Sequence, residues 1–408
     1  MHAPPRHQRG RRIVCAAVLV LSACTTADHH PALPRSVSNA TPPIRHDLWR
    51  PLHKGHADLS SGVYIREDDD LVINAPLPIV LRRTYNSGDQ QSRHFGMDAT
   101  HSGEWWIYGN SDPRVPWGEL ILADGGRIRF TRISPGETRV GAILRHDSTP
   151  TQFNGALLRW AGSKWEMQLA DGSTASFLDC HGRPYACSLI ERRDSDGHRV
   201  KYVRDSVGVL QKMESEEQSI AFEYDDHKRI ARAYDTLGRE VRYTYDDGGC
   251  LISVKSSNDV TREYRYDARN HLTRVQEPGR IVDNWFDDAG RWARQTVKSS
   301  EDDNDPYVAT AHYVVKDGSI VEASFDEGGG LEVYKFNAHH YVTSETFYAD
   351  SPHPVVFAYD VDPVTNVSHG ATMSCKGPSG PVARTAQLSV HDDATKAAMI
   401  QSFCLPRH

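Results

Sequence analysis

The side chains best spaced to do chemistry are carboxylates that each follow an aromatic residue. Tyr224 and Asp225, Tyr245 and Asp246, Tyr266 and Asp267, and Phe286 and Asp287 form four such pairs. With Asp205 ahead of them, the acids advance by 20, 21, 21 and 20 residues. Two carboxylates flanking a sugar can hydrolyse a glycosidic bond, and tyrosine faces can stack on its rings. The same spacing has a structural reading, and the regularity favours it. An acid that recurs with a turn accepts that turn's backbone hydrogens. A tyrosine that alternates along a strand packs against neighbouring hairpins. No Gly-x-Ser-x-Gly, His-Glu-x-x-His, phosphate loop or dinucleotide fingerprint occurs, so no cofactor is implied and no enzyme is expected.

Metal chemistry fares no better. The run from Glu301 to Asp305 is acidic but lacks the glycine and downstream glutamate of a calcium loop, and reads as a solvated loop. His29, His30, His46 and His53 are scattered without a repeated ligand spacing, and no Cys-x-x-Cys is present. The expected metal site is none.

The elements that carry the acids are hairpins. Val241, Tyr243 and Tyr245 alternate with polar residues, as do Ile220, Phe222 and Tyr224, so each set lines one face of a strand. Asp246 to Gly249, Asp287 to Gly290, Asp267 to Asn270 and Asp205 to Gly208 then place Gly or Asn three residues after an acid. That suits a turn whose last residue has positive φ. An apolar residue six positions after each aromatic (Ile230, Leu251, Leu272, Trp292) opens the return strand. Looser copies follow at Phe336-Asn337 with Val342 and at Tyr359-Asp360, and Tyr307–Phe325 reads as a degenerate hairpin. A lone hairpin is marginal in water, so the units must stack edge to edge. Thirty Gly, 22 Pro and 17 Tyr fit an all-β chain. A formal charge of −7 with scattered Lys and Arg argues against nucleic acid as a partner.

The string from Arg239 through Tyr243, Tyr245, Asp246 and Gly249 to Leu251 resembles the tyrosine–aspartate (YD) repeat of RHS proteins. Four copies stand in register. The stretches Leu71–Pro78, Val80–Ser87 and Phe95-Gly96 resemble the entry domain that precedes such repeats, although the segment after Gly96 departs from the pattern. Strand–turn–strand signals at Leu120–Phe130 and Trp165–Phe177 continue it. The resemblance implies antiparallel hairpin repeats in an open, twisted or spiralling sheet behind a β-rich N-terminal domain. Full-length relatives close a shell round a C-terminal toxin. Here Asp362-Pro363 lacks the following Gly-Leu of the self-cleaving segment, and no toxin domain follows, so neither activity is carried over.

At the N-terminus, Arg6, Arg9, Arg11 and Arg12 precede an apolar core, Ile13–Ala23, too short for a spanning helix. Leu21-Ser22-Ala23-Cys24 resembles a bacterial lipoprotein box. The resemblance implies cleavage before Cys24, lipid on its thiol and delivery to the outer membrane; an ordinary secretory signal is the alternative. The expected organisation is a signal over 1–23, a disordered, flexible tether over 24–55, an N-terminal β domain over 56–190, the repeat array over 191–370 and a tail over 371–408 with a helix at Asp392–Phe403. Cys180 with Cys187 and Cys375 with Cys404 are disulfide candidates in an oxidising compartment, with buried free thiols as the alternative. Function is expected to be non-catalytic: an envelope-anchored module binding a protein or polysaccharide partner. An accessory, adaptor or immunity component of an RHS toxin system and an envelope glycan-acting enzyme are the competing readings.

Overall fold

The computed structural model describes residues 57–108, 117–147, 151–178, 187–328, 330–348, 353–364, 366–377, 380–388 and 393–404. The expected signal, Cys24, the tether and Cys180 lie outside the described residues. The fold is all-β with one helix among these residues.

Alternation makes the strands. In Glu240–Tyr245, Val241 and Tyr243 are buried while Arg242 and Thr244 are exposed, the period of two that puts successive side chains on opposite faces. A small sheet comes first, ordered β1 (Ala57–Asp58), β2 (Val63–Ile73), β3 (Ile79–Asn86) and β6 (Ala99–His101). The two-residue strands β4 (Ser92–Arg93) and β5 (Gly96–Met97) pair within the β3–β6 connection. From β7 (Trp106–Tyr108) to β31 (Gly380–Ala386) every strand pairs antiparallel with the next, giving one sheet of 25 strands.

This sheet is the long antiparallel array that the sequence suggests, and its first strands roll round into a ring that the sequence does not announce. The amide of Ile107 donates to the Cys187 carbonyl at 3.0 Å and that of Leu189 to Trp105 at 2.8 Å, around a Trp106↔Ser188 bridge. The contact rolls β7 to β13 (Thr174–Leu178) into a ring whose buried residues include Leu120, Ile128, Phe130, Leu158, Trp165 and Phe177. At the other end β31 pairs with β30 (Ser368–Gly377), and no register among the described residues returns it to β7. Strand pairing shows in sequence as alternation, but closure depends on accumulated twist and tilt, which alternation does not encode.

Residue 190 falls within β14 (Leu189–Arg193), in the middle of the continuous ladder, and β30 runs across residue 370. The helix α1 occupies Asp393–Phe403. Its Lys396 reaches Glu345 of β28 (Val342–Tyr348) at 2.9 Å, with side chains only 6% and 3% exposed. Met399 is buried, and Cys404 is disulfide-bonded to Cys375 of β30. The helix therefore covers the buried face of the last strands. No helix among the described residues is long and apolar enough to cross a membrane.

Candidate functional site

Each repeat acid closes its own turn. Asp225 Oδ1 accepts from the amides of His227 and Arg229 at 2.9 and 2.8 Å, Asp267 Oδ1 from Arg269 and His271 at 2.8 and 2.9 Å, and Asp287 Oδ1 from Ala289 and Arg291 at 3.0 and 2.9 Å. The second oxygen takes the side chain four residues on: Arg229 at 2.8 Å, His271 at 2.9 Å, Arg291 at 2.7 Å. Asp246 accepts from Cys250 N at 2.8 Å, and Gly249 N donates to the Asp246 carbonyl. Partial burial opposes ionisation of Asp267, but the amides of His271 and Arg269 hold its carboxyl below the ordinary range. The turn's last residue has positive φ: Gly208, Gly249, Gly290 and Asn270, but also Lys228 at 61° and His340 at 65°. One grouping of described residues, Asp194, Asp196 and His198, comes within shared metal-ligand reach. It is another surface copy of this turn, with Asp194 Oδ1 accepting from the amides of Asp196 and His198 and Oδ2 lying 2.8 Å from His198 Nδ1.

The tyrosines join one repeat to the next. The Tyr245 hydroxyl donates to the Ile230 carbonyl at 2.7 Å, Tyr266 to Leu251 at 2.8 Å, Tyr224 to Leu210 at 2.5 Å and Tyr313 to Trp292 at 2.6 Å. Phe286 has no hydroxyl. Asn284 replaces it, donating to the Leu272 carbonyl at 3.1 Å while accepting from Trp292 Nε1 and Gln295 Nε2 at 3.2 and 2.9 Å. The rings do not stack on one another as the sequence suggests. Equivalent strands are two apart, roughly 10 Å, and each ring meets a different body.

That body is residues 57–104, an insert lying along the buried face of the array. A bulge before Tyr224, Tyr266 and Phe286 shifts the register, and the amide that opens the return strand finds its partner in the insert. Ile230 N donates to the His94 carbonyl at 2.8 Å, Leu272 N to the Tyr85 hydroxyl at 3.0 Å and Trp292 N to the Gly62 carbonyl at 2.8 Å. Rings follow the same correspondence: Phe95 on Tyr243 at 4.8 Å between centroids, His94 on Tyr224 at 5.6 Å, Tyr85 on Tyr266 at 6.1 Å and Tyr64 on Phe286 at 6.3 Å.

Two buried polar clusters lock the insert down. In the first, Arg83 Nε and Nη2 donate to Asp70 at 3.0 and 3.2 Å, Arg66 holds Asp68 at 2.8 Å, Tyr243 donates to Asp70 at 3.0 Å and Arg83 Nη2 donates to the Tyr264 hydroxyl at 2.8 Å. Burial alone would raise Asp68, but Arg83 and Arg66 hold it well below the carboxylate range. In the second, Glu104 Oε1 lies 3.2 Å from His94 Nε2 and 3.6 Å from His101 Nε2, and Thr100 donates to Glu104 Oε2. Burial pushes His101 down to about 3, and the histidines draw Glu104 to about 2 against its own burial. None of these insert residues was singled out from the sequence. The signal lay in the acids of Glu67–Asp70 standing opposite Arg82 and Arg83 across one hairpin.

Between insert and array opens a cleft of about 570 Å³, lined by Asp69 to Val72, by Arg239 to Val241 and by residues from Val254 to Arg262. Among the cysteines, Cys375 and Cys404 are bonded. Cys187 is also disulfide-bonded, and its expected partner Cys180 lies outside the described residues. Cys250 is free and buried, its thiol pushed up to about 12 by burial.

Residues 56–130, which contain the insert, match a family model described as a domain of unknown function, DUF6531. No curated protein matches the chain. A crystal structure of TcdB2-TccC3 without its hypervariable C-terminal region is similar over 78% of this chain and 22% of that one, at 9% identity and a TM-score of 0.34. The Photorhabdus luminescens Tc holotoxin pore is similar over 68% and 21%, at 10% identity and 0.23. A porin-like protein from Bacteroides uniformis is similar over 56% of this chain and 94% of its own, at 12% identity and 0.23. The chain spans about a fifth of the Tc chains it resembles, and likeness at this level says nothing of activity.

Proposed function

We propose that the chain is a lipid-anchored RHS/YD-repeat module of the bacterial cell envelope that binds a protein or polysaccharide partner without catalysing a reaction. The supporting observation is where the reactive groups go. The repeat carboxylates are committed to their turns, the repeat tyrosines to the preceding repeat, and the buried histidines and arginines to holding the insert. A fold that uses its polar side chains in this way presents a rigid surface rather than a reacting centre. Cys24 supplies the anchor, the residues after it the reach, and the sheet the binding surface. No cofactor or nucleic acid takes part. Metabolic labelling with a fatty-acid analogue, with Cys24→Ser as control, tests the anchor. Affinity capture from envelope extracts tests the partner. Recovery of a large repeat toxin there would recast the chain as that toxin's accessory, and membrane retention with labelling in the Cys24→Ser protein would contradict the anchor.

A further inference from the structure

The cleft between insert and array has an unusual distribution of unspent hydrogen-bonding groups. Its three carboxylates are fully engaged by arginines. Asp69 holds Arg82 at 2.6 and 2.9 Å. Asp70, whose side chain is wholly buried, holds Arg83 at 3.0 and 3.2 Å and accepts from Tyr243. Glu240 holds Arg232 and Arg242, each at 2.8 Å. The donors are not spent in this way. Of the five N–H groups of Arg262, only Nε makes a hydrogen bond, to Glu277 at 3.2 Å; its Nη1 stands 3.7 Å from Asp70, beyond hydrogen-bond range. Arg239 grips Asp235 through both Nε and Nη2, each at 2.7 Å, and turns Nη2 also to the Val72 carbonyl at 2.7 Å; its Nη1 makes no hydrogen bond, and the side chain remains 43% exposed. Asn258 accepts through Oδ1 from Ser256 and from the Val260 amide, and its Nδ2 makes no hydrogen bond.

A cleft with satisfied acceptors and idle donors recruits a ligand rich in acceptor oxygens, and two guanidiniums favour one that carries an anion. Between the donors, Leu71, Val72, Val241, Val254 and Val260 supply an apolar wall. The turn on the rim uses its own backbone: Asp259 N donates to Ser256 O, and Ser256 N to Val260 O. A peptide strand therefore finds no ladder to join there. Oxygen-rich edges, a C–H face and a negative charge together describe an acidic sugar, and about 570 Å³ accommodates one or two rings.

We propose that this cleft binds an acidic saccharide, with its carboxylate on Arg262 and its hydroxyls on Arg239 and Asn258. The inference rests on the envelope-binding reading and narrows its partner to uronate-bearing glycan.

Calorimetric titration of the full-length chain with a glucuronate-containing disaccharide, its uncharged glucose counterpart, glucose 6-phosphate and an acidic tripeptide tests it. The uronate disaccharide is expected to bind best, and Arg262→Gln to weaken it by about tenfold or more. Asn258→Asp, which keeps the Oδ1 acceptor for Ser256 and Val260 and removes only the Nδ2 donor, is expected to weaken binding with little change in melting temperature. Stronger binding of the phosphate or the peptide would overturn the assignment. So would binding that survives both substitutions, or no binding by the folded wild type. A chain that fails these titrations yet still captures an envelope partner contradicts the cleft and leaves the broader reading in place; failure of both contradicts both.

Discussion

The Tyr245 hydroxyl lies 2.7 Å from the Ile230 carbonyl and donates to it, so that one repeat is hydrogen-bonded to the next by the residue that defines the repeat. Tyr245→Phe removes that donor and leaves the ring in place. It should cost about 1 kcal/mol, the net worth of one such bond, whereas Tyr245→Ala should cost about 3 kcal/mol through lost packing. Urea denaturation of the two variants separates the effects, and equal losses would assign the whole contribution to the hydroxyl.

Asn284 stands in for the hydroxyl missing at Phe286, and it also satisfies Trp292 Nε1 and Gln295 Nε2. Asn284→Ala strands three buried groups at once. A loss of about 3 kcal/mol or more is expected, larger than that of Tyr245→Phe. Addition of a hydroxyl by Phe286→Tyr should recover part of it, as the double variant's denaturation midpoint will show.

Lys228 holds positive φ at a position where other repeats carry glycine or asparagine. Lys228→Gly relieves a left-handed conformation that L side chains resist, and should raise stability by about 1 kcal/mol. A lower melting temperature would mean that the exposed lysine side chain contributes more than its backbone costs.

Two insert residues titrate in opposite senses. Burial lifts Asp98 to about 7, so the folded state holds a proton there that the unfolded chain has released. Its contribution is present below the ordinary aspartate range and is lost as pH rises through about 7. Burial lowers His101 to about 3, so its contribution is present above the ordinary histidine value and is lost as pH falls from there towards 3. Asp98→Asn should therefore stabilise the protein at pH 8, by on the order of 1 kcal/mol, and change little at pH 4. His101→Gln should flatten the acid limb. Melting curves from pH 4 to 8 read both.

The repeats were legible because their determinants are local. An acid, a turn residue three positions on and an apolar residue six positions after the aromatic all lie within one hairpin, and alternation fixes which face is buried. The helix at the C-terminus was legible for the same reason. Neither the ring closure through Trp106 and Ser188 nor the seating of residues 57–104 on the array leaves a local trace. Arg83 and Tyr264 are 181 residues apart in sequence and touch only because two separately formed sheets meet. The contact between Tyr85 and the amide of Leu272 is equally remote. The repeat rings looked like partners for one another because sequence shows their period but not the third body between them.

Seating of the insert on the array is most directly tested by native-state hydrogen exchange at the amides of Ile230, Leu272 and Trp292, measured in the wild type and in Tyr85→Phe. In the wild type all three should exchange only through global unfolding, because each is hydrogen-bonded to the insert across a buried interface. In Tyr85→Phe the Leu272 amide alone should lose protection. Exchange of the three wild-type amides as fast as that of exposed turn amides, or indifference of Leu272 to the Tyr85 hydroxyl, would contradict the account.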